Sequence, residues 1–156
     1  MYGSSFGGAA STHACVSDSR LKAAISIDCV QFGDLLSSDV PQPMMFISSD
    51  QYSGKNDLFL EVRTAPTYVV LVKGTTHANF SDMSLWGGVL KTQMLGTIDG
   101  SRCQETQDVH VRAFFDRYLK GKESAYLDGP CARYPEVEMW SAKDTRCPAS
   151  LSSARS

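Results

Sequence analysis

Short apolar runs alternate with longer amphipathic stretches over most of the chain. Apolar residues are concentrated at 21–27, 44–47 and 68–72, and these runs predict three buried strands. The run at 68–72 is continuous and rich in β-branched residues, which is typical of a parallel strand covered on both faces. Small residues dominate 6–17, where the sequence predicts a helix that packs closely against a sheet.

The amphipathic stretches predict helices around these strands. Over about 103–120 apolar residues recur at i, i+3, i+4 and i+7, so one apolar stripe runs along a helix, and Gly121 suits its carboxyl end. A shorter helix before it is predicted to be capped by Asn79 or Ser81. Strands that alternate with helices predict an α/β protein with a mostly parallel sheet flanked by helices. The pattern contains three strands, none of them before the first helix, and little periodicity from residue 122 onward.

Composition and charge exclude several classes of protein. The chain has 156 residues, of which 42% are hydrophobic and 21% are charged, and its formal net charge is −2. These values suit a single globular domain. The near-zero charge argues against a nucleic-acid partner, because phosphate contacts need a basic face. No apolar run approaches the ~20 residues that a transmembrane helix needs.

The cysteines and histidines show no metal-binding pattern. The five cysteines form no CxxC pair and share no ligand spacing with the three histidines, so we expect neither a metal nor another cofactor. Cys15 and Cys29 lie in apolar stretches and are predicted to be buried. Cys131 and Cys147 lie in a Pro-rich tail and are candidates for a disulfide if the protein is secreted.

The pattern G-x-S-x-G occurs once, at residues 3–7, with Ser5 at its centre. In α/β-hydrolases this pattern is the nucleophile elbow, a tight strand-to-helix turn that exposes the serine. We expect both flanking glycines to be required, because a side chain in so strained a turn would collide with neighbouring backbone. The free N–H groups at the helix start, including that of Phe6, would point to where an oxyanion forms. The alternative is a glycine-rich helix start with no catalytic role.

One of the three histidines is a candidate base. His77 follows the third predicted strand, in a loop before a helix, where α/β-hydrolases place their base. His13 lies about two turns along the first helix and points away from Ser5, so we expect it at the helix surface or partly buried. His110 lies on the long later helix between polar and apolar neighbours, and we expect it at the surface.

Two aspartates are candidates for the acid that orients the histidine. Asp28 follows the first predicted strand and Asp50 follows the second. Either could hold the imidazole tautomer and stabilise the imidazolium. Many α/β-hydrolases carry the acid after the later of these strands, which favours Asp50, and either residue could also be a simple strand-end or capping carboxylate. Periodicity leaves the choice open.

Four stretches together resemble a known family. GSSFGGAA at 3–10, ISIDCVQFGD at 25–34, PQPMMFISSD at 41–50 and VKGTTHANFSDM at 72–83 look like the platelet-activating factor acetylhydrolases of the plasma and type II kind. The resemblance is colinear over about residues 3–121. It implies the C-terminal part of an α/β-hydrolase fold, with a partial catalytic domain over 1–121 and a partly disordered C-terminal extension over 122–156.

The resemblance also implies a set of roles. The family's acid follows the strand directly after the nucleophile helix, which selects Asp28. Ser5 would be the nucleophile, His77 the general base and acid, and Phe6 an oxyanion donor through its N–H. The family removes short or oxidised sn-2 acyl groups from phospholipids without calcium, which implies transient contact with a lipid interface. The alternatives are an enzyme like dienelactone hydrolases or polyester esterases with Asp50 as acid, or a catalytically dead fragment.

The chain departs from the family in two ways. Ser4 stands where the family usually has histidine, next to the nucleophile. The family also has an amino-terminal half before the elbow, which supplies further strands and the second oxyanion donor. We therefore expect a fragment of a longer esterase, and the missing half argues against activity of the chain by itself. Family analogy favours a secreted protein, although the targeting end is absent.

Overall fold

The computed structural model describes residues 1–90, 93–129 and 131–141, and one sheet forms the centre of this part of the chain. The five strands are neighbours in chain order, and all pairs are parallel except the last, which is antiparallel. The strands are β1 (Tyr2–Ser4), β2 (Ala24–Ile27), β3 (Met44–Ser49), β4 (Thr67–Val72) and β5 (Val137–Ser141). The predicted α/β class with a mostly parallel sheet is confirmed.

Helices cover the sheet on both faces. They are α1 (Phe6–Ser17), α2 (Asp57–Glu61), α3 (Met83–Leu90) and α4 (Gly100–Lys120), with short 3₁₀ turns at Gly33–Ser37, Asp50–Tyr52, His77–Phe80 and Ala125–Leu127. The predicted helix over 6–17 coincides with α1. The side chain of Asp99 caps α4 by accepting from the N–H of Arg102, and Gly121 ends it with a φ of 64°.

Alternate residues of the strands build two cores. One face packs against α4 through Ile25, Ile27, Met45, Ile47, Val70, Val72 and Phe114. The other face packs against α1 and α2 through Cys15, Ala24, Met44, Phe46, Phe59 and Val69. Side chains of successive strand residues point to opposite faces of the sheet, and helices cover each face, so both sets of side chains are buried. The predicted burial of Cys15 and Cys29 is confirmed.

The prediction of three strands, with none before the first helix, was wrong. β1 has three residues, which is too short for a periodic pattern, and it forms because it pairs with β2. β5 lies beyond residue 121 and pairs with β4 across a long sequence separation. The predicted division at residue 121 stays a prediction, but the sheet continues past it. Cys147 lies outside the described residues, so the disulfide with Cys131 also stays a prediction.

No helix among the described residues is both long enough and apolar enough to cross a membrane.

Candidate active site

Ser5, Asp28 and His77 meet at the carboxyl edge of the sheet. Ser5 and Asp28 directly follow β1 and β2, and His77 lies in the loop after β4. Because β1, β2 and β4 run in the same direction, their carboxyl ends lie along one edge. The three residues are up to 72 positions apart in sequence, and the parallel topology brings their segments to one edge.

Ser5 lies at a strained turn between β1 and α1. Its φ is 55° and its ψ is −134°, a conformation that side chains disfavour. The Ser5 N–H donates to Ile27 O at 2.9 Å, and Ser5 O accepts from the N–H of Gly8 at 2.8 Å. These two bonds hold the serine at the start of α1. Phe6 is the first residue of that helix, so the helix contains no acceptor for its N–H.

The glycines around Ser5 differ in how closely neighbouring atoms approach them. A Cβ on Gly3 would lie 2.2 Å from Gly7 O, so only glycine lets β1 approach the first turn of α1. A Cβ on Gly7 would have no described atom within 4 Å, so the expectation that both flanking glycines prevent a collision was wrong for Gly7. The second close approach is at Gly8, where a Cβ would lie 2.5 Å from Ser26 Oγ.

Asp28 is fully buried and also has a left-handed backbone, with a φ of 48°. Its Oδ1 accepts from the N–H of Ser49 at 2.7 Å. Its Oδ2 lies 2.7 Å from His77 Nδ1. A buried carboxylate requires partners for both oxygens, and here one comes from the end of β3 and the other from the imidazole.

His77 completes the contact between the three residues. Its Nε2 lies 3.1 Å from Ser5 Oγ, and its side chain is 40% exposed. An ionised carboxylate can only accept, so the Nδ1–H donates to Asp28 and Nε2 accepts from the Ser5 hydroxyl. The Tyr52 ring packs against the imidazole, with centroids 5.5 Å apart and planes inclined by 30°. In this arrangement the Ser5 proton can pass directly to Nε2.

Two polar side chains hold the loop that carries His77. Asn79 Oδ1 accepts from the N–H groups of Thr76 at 2.9 Å and Gly96 at 2.8 Å. The Thr76 side chain and Asn79 together form a capping box. Of the two residues predicted to cap the later helix, Ser81 accepts from the first N–H of that helix at 3.4 Å through its Oγ. Asn79 instead caps the 3₁₀ turn that starts at His77. The three-residue spacing from Thr76 was the available signal.

Asp50, the alternative acid, has a different contact. Its Oδ2 accepts from the N–H of Gly74 at 2.8 Å, at the start of the same loop. The side chain is exposed, whereas Asp28 is buried against His77. Of the two aspartates left open by periodicity, the geometry favours Asp28, and Asp50 supports the loop.

The other two histidines lie away from Ser5. His13 is exposed on α1, as predicted. His110 was predicted at the surface, and this was wrong, because its ring is buried on α4 and packs against Tyr126 and Tyr134. Its Nδ1–H donates to Thr106 O at 2.7 Å. Burial lowers the pKa of His110, although the bond to Thr106 opposes this.

The described residues contain no group of three or more His, Cys, Asp or Glu side chains arranged to hold a metal ion.

Comparison with known proteins gives a consistent result. Residues 1–129 match the family described as platelet-activating factor acetylhydrolase, isoform II. The platelet-activating factor acetylhydrolase of Cavia porcellus is 32% identical over 128 residues, covering 76% of this chain and 29% of that protein. An Arthroderma benhamiae protein named probable 1-alkyl-2-acetylglycerophosphocholine esterase is 30% identical over 161 residues, covering 88% of this chain and 42% of that protein.

A solved structure shares the fold. The ferulic acid esterase from Streptomyces cinnamoneus superposes with a TM-score of 0.80 at 24% identity, over 88% of this chain and 45% of that one. The chain thus spans less than half the length of these relatives and of this structure. Its own match to the family model covers most of its residues. The chain belongs to the platelet-activating factor acetylhydrolase, isoform II, family.

Proposed function

We propose that the chain supplies the catalytic triad and one oxyanion donor of a serine carboxylic-ester hydrolase. The observation that carries this proposal is the continuous contact from Ser5 Oγ to His77 Nε2 at 3.1 Å and from His77 Nδ1 to Asp28 Oδ2 at 2.7 Å. The left-handed backbone at both Ser5 and Asp28 supports it, since such strain concentrates at functional sites. The family membership supports the reaction class.

The proposed reaction is acyl transfer through Ser5. Ser5 Oγ attacks the ester carbonyl carbon while His77 Nε2 accepts its proton, and Asp28 stabilises the imidazolium that forms. The Phe6 N–H donates to the oxyanion of the tetrahedral intermediate. His77 then protonates the leaving alcohol as the ester C–O bond breaks. Water, deprotonated by His77, hydrolyses the acyl-enzyme and releases the carboxylic acid, which regenerates Ser5.

The proposed substrates are phospholipids with a short or oxidised sn-2 acyl group. The names of the relatives support this class. The rings of Phe6 and Phe32, 73% and 50% exposed, stack 6.0 Å apart next to the nucleophile. This aromatic surface suits an apolar acyl chain. It also supports transient contact with a lipid interface, where such a substrate resides.

A fluorophosphonate probe tests the proposed nucleophile. The sequence argued against activity of the chain by itself, but Ser5, His77 and Asp28 are in contact within it. We therefore expect the 156-residue chain to form a covalent adduct that mass spectrometry places on Ser5. Ser5→Ala should abolish the adduct, and the matched variant Ser4→Ala should retain it, because Ser4 lies in β1 and does not contact His77 in the described structure. A folded chain that forms no Ser5 adduct would contradict the proposal for this polypeptide.

A substrate series tests the proposed specificity. Phospholipids that differ only in the sn-2 acyl chain should be cleaved fastest when that chain is acetyl or an oxidised short chain. Equal rates with long unoxidised chains would contradict the specificity but leave the esterase assignment standing.

A further inference from the structure

The turn that carries Asp28 requires support from elsewhere in the chain. Asp28 has a φ of 48°, a backbone conformation that residues with a side chain disfavour. Its N–H donates to Ile47 O at 2.7 Å, which fixes the start of the turn to β3. The chain then leaves the sheet at 29–31, where no strand pairing is available to hold it.

Asn56 provides that support from a distance of 25 or more residues in sequence. Its Oδ1 accepts from the N–H of Gln31 at 2.7 Å, and its Nδ2–H donates to Cys29 O at 2.9 Å. The side chain thus bridges the backbone one and three residues after Asp28. Both halves of the amide are used, and the residue is buried.

Asn56 lies at a helix cap position but does not cap the helix. Asn56 stands directly before α2, where asparagine commonly caps a helix. Here the side chain makes no capping bond and turns to the Asp28 turn instead. The hydrogen bonds are buried, so removing the amide would leave the Cys29 carbonyl and the Gln31 N–H without partners in a low-dielectric environment.

We propose that Asn56 is a positioning residue that acts through Asp28, holding the left-handed turn so that the carboxylate meets His77. This proposal rests on the proposed function, because it assigns Asn56 to the alignment of that triad. Asn56 contacts neither Ser5 nor the reacting atoms. Its loss should let the turn relax and move Asp28 Oδ2 away from Nδ1, and a displacement of about 1 Å can lower a rate on the order of 10²-fold.

A double-mutant cycle on the full chain separates this role from a purely structural one. Asn56→Ala should lower the rate of Ser5 labelling by fluorophosphonate on the order of 10²-fold. In an Asp28→Asn background the same change should have almost no further effect, since the contact through which Asn56 acts is already lost. Equal losses from Asn56→Ala in both backgrounds would overturn the proposal.

Two further variants guard against loss of folding. Asn56→Ser keeps one polar group and should retain more of the labelling rate than Asn56→Ala. Gln42→Ala removes another buried amide, which donates to Cys15 O. Gln42 lies just before β3, at the edge of the sheet opposite to Asp28. Gln42→Ala should lower thermal stability without changing the labelling rate of the folded protein. An equal loss of labelling in Gln42→Ala would overturn the assignment of a specific role to Asn56.

Proton NMR tests Asn56 independently of activity. The His77 Nδ1–H that donates to Asp28 should give a downfield imidazole resonance in the folded chain. Asn56→Ala should shift or broaden this resonance, and Gln42→Ala should not. If Ser5 fails to label but the resonance responds to Asn56, the proposed function fails while the positioning role stands. An unchanged resonance in folded Asn56→Ala would contradict the positioning role.

Discussion

The carboxyl edge of the sheet and the helix α4 are stabilised in different ways. At the edge, Ser5 and Asp28 are the two non-glycine residues with positive φ in the described chain. In contrast, α4 is a regular helix that Asp99 and Gly121 cap at its two ends. The edge depends on hydrogen bonds from residues distant in sequence, whereas α4 is determined by its own neighbours and its apolar stripe.

This difference shows which part of the structure follows from the preferences of neighbouring residues. α4 follows helix periodicity and capping preferences, and some of its ion pairs, such as Asp116 with Lys120, join residues one turn apart. The edge violates local backbone preferences at the positions of the proposed nucleophile and the proposed acid. Substitutions at the edge should therefore affect reactivity most, and substitutions of the polar side chains of α4 should have smaller effects, on stability.

Asp28→Asn should have the largest effect. An asparagine cannot stabilise the imidazolium and favours the wrong tautomer, so Ser5 labelling should fall on the order of 10⁴-fold. Labelling kinetics with a fluorophosphonate measure this. Asp50→Asn is the matched control and should keep most of the rate, because Asp50 bonds to Gly74 and not to His77. A greater loss in Asp50→Asn would reverse the assignment of the acid.

Gly3→Ala should have the second-largest effect, because it should lower the free energy of unfolding by disturbing the turn between β1 and α1. The new Cβ would lie 2.2 Å from Gly7 O, so the start of α1 must move away from β1, at about 3 kcal/mol or more. Urea unfolding measures the loss of free energy. Gly7→Ala is the control, and it should keep stability close to that of the parent because its Cβ meets no described atom. Equal losses in both variants would contradict the steric explanation.

His110 should make stability depend on pH. Burial lowers its pKa in the folded state, so below the unfolded value of about 6.5 the unfolded chain binds a proton that the folded chain does not. The free energy of unfolding should then fall with decreasing pH, by up to about 1.4 kcal/mol per unit, until the folded pKa is reached. Above the unfolded pKa neither state binds this proton, so His110 does not make the free energy of unfolding depend on pH there.

Urea unfolding at pH 7, 6 and 5 measures this dependence. His110→Gln should have a shallower slope than the parent chain, because glutamine does not titrate in this range. His13→Gln, at an exposed position of α1, should leave the slope unchanged. Identical slopes for the parent and His110→Gln would show that buried His110 does not cause the acid sensitivity.

The ion pair between α4 and the segment before β5 should have the smallest effect. Arg102 Nε donates to Glu136 Oε1 at 2.6 Å, with both side chains partly exposed. Glu136→Gln should cost about 1 kcal/mol of unfolding free energy, as for favourable partly exposed pairs. The more exposed pair of Arg20 with Asp18 is the comparison, and Arg20→Gln should cost less. A larger cost for Arg20→Gln would contradict this ranking by burial.

Hydrophobic periodicity predicted the elements that depend on local pattern. The helix over 6–17, the strands within 44–49 and 67–72 and the long helix ending before Gly121 follow from residue spacing and cap preferences. The serine candidate came from the G-x-S-x-G motif, and the histidine candidate came from its place between such elements. β1 and β5 were missed because each forms through pairing with a neighbouring strand and has little pattern of its own.

The sequence by itself determined the fold class, the elbow at Ser5 and the loop position of His77, because motif and periodicity are properties of neighbouring residues. Periodicity left Asp28 and Asp50 open and the family resemblance selected Asp28, but only the tertiary structure showed that the Asp28 carboxylate reaches the imidazole. It also showed that Gly8 and not Gly7 permits close packing, that His110 is buried, and that Asn56 bonds to the backbone after Asp28. Each of these depends on contacts between different segments of the chain, which only the folded structure brings together.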